Sequence, residues 1–162
     1  MSGGLNLVRD VMVTQRLINI RELRAEDLKA IMSIQYKCFK DPYPVSLIKR
    51  LHLMHPDGFL VVDLGGIVAG YLIGVIRWSN IGHILAIAVD PAFQRQSLGT
   101  LLMNNIIERF RKKGVKLVRL EVRKSNVGAQ QFYKKLGFLE RGEMPFYYED
   151  GESAIAMELS LD

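Results

Sequence analysis

The residues with the most chemistry in their spacing lie at 94–100: Gln94-Arg95-Gln96-Ser97-Leu98-Gly99-Thr100. Small and polar side chains lead here into an amphipathic stretch, so this loop delivers the chain into a helix N-terminus. First-turn amides have no acceptor within their own helix, and the macrodipole adds partial positive charge. Such an end attracts anions, and Arg95 adds a full charge on a planar fork suited to phosphate oxygens. The ligand that this chemistry fits carries a pyrophosphate. An ordinary strand–loop–helix connection is the alternative that the stretch alone leaves open.

The elements around the loop follow from periodicity. Ile84–Val89 is an apolar run with the length of a buried strand, and Asp90-Pro91 ends it because proline has no amide to donate. Leu98, Leu101, Leu102, Ile106 and Phe110, three and four apart, predict one buried helix face. Arg109, Arg111, Lys112 and Lys113 sit in its last turns, and Gly114 is the expected stop. Upstream, a strand is expected at 18–23, followed by a helix opened by Ala25-Glu26-Asp27 and ending near Cys38. The segment Asp41-Pro42-Tyr43-Pro44 forces a bend, and a short helix runs over 46–54. Phe59–Asp63 and Ile67–Trp78 read as a hairpin about Leu64-Gly65-Gly66.

Downstream, 116–122 alternates, with Val118, Leu120 and Val122 on one face and Arg119 and Glu121 on the other. Asn126 can cap a helix whose stripe is Ala129, Phe132, Tyr133 and Leu136, with Gly137 as its left-handed stop. Two last strands flank the turn at 149–152. The order β-α-α-β-β-β-α-β-α-β-β predicts an α/β (α+β) fold, a mixed central β-sheet flanked by helices on both faces. Residues 1–15 form an N-terminal extension, and 16–162 make one domain.

Gln-Arg-Gln-Ser-Leu-Gly at 94–99 resembles the Q/R-x-x-G-x-G/A motif of the GCN5-related N-acetyltransferase (GNAT) superfamily. Ala-Val-Asp-Pro at 88–91, Leu-Glu-Val-Arg at 120–123, Asn126, Phe132-Tyr133 through Gly137-Phe138, and 147–157 follow in the family's order and spacing. The pattern is similar to the RimI-like ribosomal-protein alanine acetyltransferases and the archaeal and eukaryotic N-terminal acetyltransferases. The resemblance implies the GNAT fold and transfer of acetyl from acetyl-CoA to protein α-amino groups. It implies that the backbone of Ile87, Ala88 and Val89 bonds the pantetheine arm, with the Val89 amide facing the carbonyl oxygen. Gln94, Arg95, Gln96, Ser97, Leu98, Gly99 and Thr100 would hold the pyrophosphate, and Asn126 and Tyr133 the pantetheine and thiol. Ser97 departs from the pattern, since glycine there tolerates positive φ.

Acetyl transfer to an amine needs a proton acceptor, charge stabilisation on a carbonyl oxygen, and help for a departing thiolate. Glu121, on the polar face near a strand end, is the candidate base; a surface carboxylate paired with Arg119 or Lys124 is its bland alternative. Tyr133 is the candidate acid, since a phenol stays protonated at neutral pH; a core aromatic is the alternative. By resemblance, Asp41, Tyr43, Pro44 and Val45, together with Tyr147 and Tyr148, grip the first residues of a peptide. Lysine side chains or a small-molecule amine are alternative acceptors, and a catalytically inactive CoA- or ribosome-binding module is a further alternative.

Composition excludes other classes. At 162 residues, 49% hydrophobic and 24% charged, the chain is an ordinary globular protein. No run is long and apolar enough for a membrane span, and no signal peptide is visible, so a cytoplasmic location without a membrane partner is expected. The net charge of +5 suits a phosphorylated cofactor and association with ribosomes, while no motif for specific nucleic acid accompanies it. Cys38 is the single cysteine, read as a buried helical thiol rather than an acyl carrier. His52 and His55 lack a third ligand, and no metal is expected.

Overall fold

The computed structural model describes residues 17–78, 80–94 and 96–162; the extension expected at 1–15 and Arg95 lie outside the described residues. The elements are β1 (Ile18–Glu22), α1 (Leu28–Cys38), α2 (Val45–Met54), β2 (Phe59–Leu64), β3 (Ile67–Arg77) and β4 (Ile81–Val89). There follow α3 (Leu98–Lys112), β5 (Leu117–Arg123), α4 (Val127–Lys135), β6 (Leu139–Met144) and β7 (Ala154–Ser160). The seven strands form one sheet in the order β1-β2-β3-β4-β5-β7-β6. β4 and β5 run parallel, whereas the β1/β2, β5/β7 and β6/β7 pairs are antiparallel, so the sheet is mixed, as its strand order predicts.

The described residues group into two compact units. One holds those up to Leu72 together with Ile87–Met103; the other holds Ile73–Ala86 with Asn104–Asp162. In the first, Phe59, Leu60, Val61 and Val62 of β2 are fully buried, as are Ile31 and Ile48 from the helices. Arg21 ties this unit's edge together, with Nη1 donating to Asp27 at 2.7 Å and Nε to Asp63 at 3.0 Å. Burial raises the Asp27 carboxyl, but the hydrogen bonds from Arg21 and the Arg24 amide outweigh that and hold it below its ordinary range. The β2–β3 hairpin turns on Gly65 and Gly66, at φ +62° and +98°.

In the second unit β5 alternates strictly, with Val118, Leu120 and Val122 buried. Its core is shaped by missing side chains. A Cβ on Gly74 would lie 3.0 Å from Ile106 and from Phe110, and one on Gly82 only 2.5 Å from the Phe110 ring. Phe110 of α3 thus fits a hollow that two glycines make.

The apolar face of α3 differs from expectation at one position. Leu98, Leu102, Ile106 and Phe110 are buried, but Leu101 is 38% exposed, and Met103 and Ile107 are buried instead. At about 100° per residue, Leu101 falls off the arc that runs from Leu98 to Ile107. Three-and-four spacing identifies a stripe but not where its edges lie.

Candidate active site

In the first unit, the end of β4 and the loop after it are pinned by hydrogen bonds. The Asp90 amide donates to the Ala69 carbonyl at 2.7 Å, and Asp90 Oδ1 accepts from the Ala92 amide, capping the short turn Pro91–Phe93. The Val89 carbonyl accepts from Gln94 Nε2 at 3.0 Å and from Cys38 Sγ at 3.5 Å. Two donors therefore fix the last peptide plane of the strand. The parallel register of β4 with β5 runs from Ile81 to Ile84, so Ile87, Ala88 and Val89 lie beyond its end.

Ser97 adopts φ +61°, in the left-handed region. The position where the GNAT pattern has glycine thus demands glycine's backbone conformation, and serine adopts it under strain. The Leu101 amide donates to the Ser97 carbonyl at 3.1 Å, the first rung of α3, so the amides of Leu98, Gly99 and Thr100 precede the helical ladder. Gln96 and Ser97 are exposed and Leu98 is buried. The left-handed region costs an L-residue about 1–2 kcal/mol, and the extra unfolded-state freedom of glycine costs about 0.5–1 kcal/mol. Ser97→Gly is therefore expected to stabilise the fold by about 0.5–1 kcal/mol, raising Tm by roughly 2 °C in a thermal melt. A lower Tm would mean that the hydroxyl contributes more than the torsion costs.

The segment between α1 and α2 is held as firmly. Gln35 is 1% exposed, and its amide brackets Tyr43: Oε1 accepts from the Tyr43 amide at 3.0 Å and Nε2 donates to the Tyr43 carbonyl at 3.3 Å. Gln35 falls at helical spacing with Leu28, Ile31 and Met32, but that spacing gives no sign that its amide holds Tyr43. Asp41, Pro44 and Val45 are exposed around it. Burial, then the nearby Asp90, pushes the Cys38 thiol up, so it is not the thiolate an acyl carrier needs.

In the second unit the central feature is a carboxylate. Glu121 is 9% exposed, with Oε2 at 2.6 Å from His83 Nε2 and Oε1 accepting from Arg119 Nε at 3.2 Å. The surface-carboxylate alternative had the Arg119 pairing right and the exposure wrong, and Lys124 pairs instead with Glu143. Burial raises the Glu121 carboxyl, but the hydrogen bond and charge of His83, then those of Arg119, bring it net below its ordinary 4.5. Glu121 is thus ionised at neutral pH. His83 is the residue sequence reasoning missed. The β4–β5 register sets it opposite Arg119, so its approach to Glu121 comes from strand pairing and not from any local pattern.

Small residues border Glu121. Across β7 it faces Ala156, which pairs in turn with Gly142 of β6, where an added Cβ would meet nothing within 4 Å. Asn126 caps α4 as expected, with Oδ1 accepting from the Ala129 amide at 3.1 Å, and Gly137 follows at φ +101°. Tyr133 is buried, its ring 5.3 Å from Phe132 and 5.9 Å from Phe138. Burial, then the nearby Tyr148 phenol, pushes its hydroxyl well above the ordinary tyrosine range, so it stays protonated. No hydrogen bond joins Glu121 to Tyr133 among the described residues. Tyr147 and Tyr148 stack edge to face at 5.0 Å before the turn at 149–152.

Residues 28–138 match the Acetyltransferase (GNAT) family, and the chain belongs to it. It is an acetyltransferase of that fold. It is 33% identical over 162 residues to an N-alpha-acetyltransferase of Sulfolobus acidocaldarius, covering 91% of this chain and 96% of that one. The crystal structure of Ard1 from Thermoplasma volcanium superposes with a TM-score of 0.87 at 33% identity, over 90% of this chain and 99% of the other. The ribosomal-protein-S18-alanine N-acetyltransferase from Escherichia coli does so with 0.79 at 31% identity, over 90% and 94%. Among the described residues, no helix is long and apolar enough to cross a membrane, and no three potential ligands gather as a metal site.

Proposed function

We propose that this enzyme acetylates the α-amino group of protein N-termini, using acetyl-CoA as donor. The observation that carries this reading is the part-buried His83–Glu121 pair, 2.6 Å apart across β4 and β5, with β5 followed by a helix that buries Tyr133. Acetyl-CoA fits the first unit on an observation of the loop itself: a left-handed residue leads into α3, whose first amides precede the ladder. Gln94, Gln96, Ser97, Leu98, Gly99 and Thr100 would hold its pyrophosphate, Arg95 its charge, and Ile87, Ala88, Val89 and Asn126 its arm. When bound, it supplies an activated acetyl thioester.

The chain's own groups do the rest. Asp41, Tyr43, Pro44, Val45, Tyr147 and Tyr148 bind the peptide's first residues. Glu121 accepts the proton of the α-ammonium, directly or through one water, and is held in place for this by His83 and Arg119. Tyr133 Oη keeps a proton beside the departing sulfur. Residues 16–162 act as one domain in this reading, in the cytoplasm. Ribosomes are the proposed place of encounter, supported by the likeness to the S18-alanine enzyme.

A panel of short peptides with free N-termini, lysine peptides with blocked N-termini, and small amines tests the acceptor. Turnover confined to free N-termini is expected; activity only on lysine or small amines overturns the proposal, as does acetyl-CoA binding without turnover on any of them. His83→Gln is expected to lower kcat about tenfold. It also removes the group that chiefly holds the Glu121 carboxyl down, so burial raises that carboxyl and activity is lost at higher pH than in the wild type. An acid limb that stays in place would show that His83 does not set the ionisation of Glu121.

A further inference from the structure

Tyr148 does not stand alone in its loop. The Arg123 guanidinium lies over its ring, 4.0 Å from the centroid. The same guanidinium is anchored from the far side of the turn. Nη1 donates to Asp150 Oδ2 at 2.9 Å and to Glu152 Oε1 at 2.8 Å, and the Arg123 side chain is only 15% exposed. Glu152 is anchored in its turn, Oε2 accepting from the Ser125 amide at 2.8 Å. The loop closes on itself through the Tyr148 amide, which donates to the Glu152 carbonyl, and the Gly151 amide, which donates to the Tyr148 carbonyl.

Arg123 belongs to the strand that carries the base. Arg123 and Glu121 are two residues apart, so they share a face of β5, and both face alanines on β7, Ala154 and Ala156. Small partners leave room for both side chains to fold across the sheet. The Ser125 hydrogen bond, then Arg123, pushes the Glu152 carboxyl down to about 2, so the anchor stays charged throughout the range where an amine reacts.

We infer that Arg123 is a positioning residue for the acceptor peptide: it ties the β6–β7 loop to the strand bearing Glu121 and fixes the Tyr148 phenol by placing its guanidinium over the ring. A cation over a π-face polarises the phenol and makes its hydroxyl a better donor to a peptide carbonyl. Because only the planar guanidinium can pair with two carboxylates and cover a ring at once, lysine cannot replace it. This inference rests on the reading above that Tyr148 contacts peptide.

The test is steady-state kinetics of Arg123→Lys and Arg123→Met with a free-N-terminus peptide, each variant checked by circular dichroism. About a tenfold rise in peptide KM is expected for Arg123→Met and about fivefold for Arg123→Lys, with the KM for acetyl-CoA unchanged. Arg123→Lys retains the charge, so it serves if Arg123→Met does not fold. Wild-type peptide KM in Arg123→Lys overturns the inference, and so does an equal rise in both KM values, which marks general loosening. Tyr148→Phe tests the underlying reading separately. If it leaves peptide KM unchanged, Tyr148 is no peptide contact and both fail; if it raises KM while the Arg123 variants do not, only the positioning role fails.

Discussion

Glu121→Gln is expected to lower kcat on the order of a thousandfold, with the KM for acetyl-CoA near its wild-type value. Glutamine keeps the shape and can still meet Arg119 and His83, but it cannot take a proton. The size of the effect follows from how Glu121 is tuned. A terminal ammonium has a pKa near about 8, whereas the Glu121 carboxyl sits below 4.5. Complete transfer between them is uphill, so Glu121 works as a relay that hands the proton on to solvent. Two consequences are measurable. The wild-type kcat/KM is expected to rise with pH up to about 8, following the amine, with no limb from Glu121 above 4.5. A depressed carboxyl contributes stability above its unfolded pKa and loses it as pH falls through its folded one. The stability gap between wild type and Glu121→Gln is therefore widest near neutrality and closes in acid. Near-normal turnover in Glu121→Gln would remove the base from the proposal.

Tyr133→Phe is expected to cut turnover about a hundredfold while leaving acetyl-CoA binding largely intact. The phenol is held well above its ordinary range by burial, and a thiol titrates near about 8.5. Complete donation from Tyr133 to the leaving sulfur is thus unfavourable. Its contribution is a hydrogen bond to growing negative charge, worth about 1.5–3 kcal/mol for a charged acceptor. That range brackets the expected loss. Isothermal titration with CoA alongside turnover separates the two effects, and unchanged turnover would show that the leaving group needs no donor here.

Much of the fold was legible because the elements carry strong local signals. The order of strands and helices, the Gly65-Gly66 hairpin, the Asn126 cap and the left-handed stops at Gly114 and Gly137 all follow from nearest-neighbour chemistry. The Ser97 torsion was legible only through a pattern that has glycine there; serine itself gives no sign of positive φ. His83 was not legible at all. It is a single polar residue within an apolar strand, and its partner lies 38 residues away across a parallel pairing. Trp78 and Phe146, at φ +51° and +54°, were equally hidden, since bulky side chains disfavour that region. Arg123 was visible as a basic residue, but its stacking on Tyr148 depends on how a loop 25 residues later folds back.

The hollow beneath Phe110 has a consequence for anyone building chimaeras of such enzymes. Gly74, Gly82 and the aromatic ring form a lock and key spread over three elements, and a Cβ at Gly82 would stand 2.5 Å from that ring. A graft that imports this α3 onto strands lacking either glycine brings the key without the lock. The tradable cassette here is β3, β4 and α3 together.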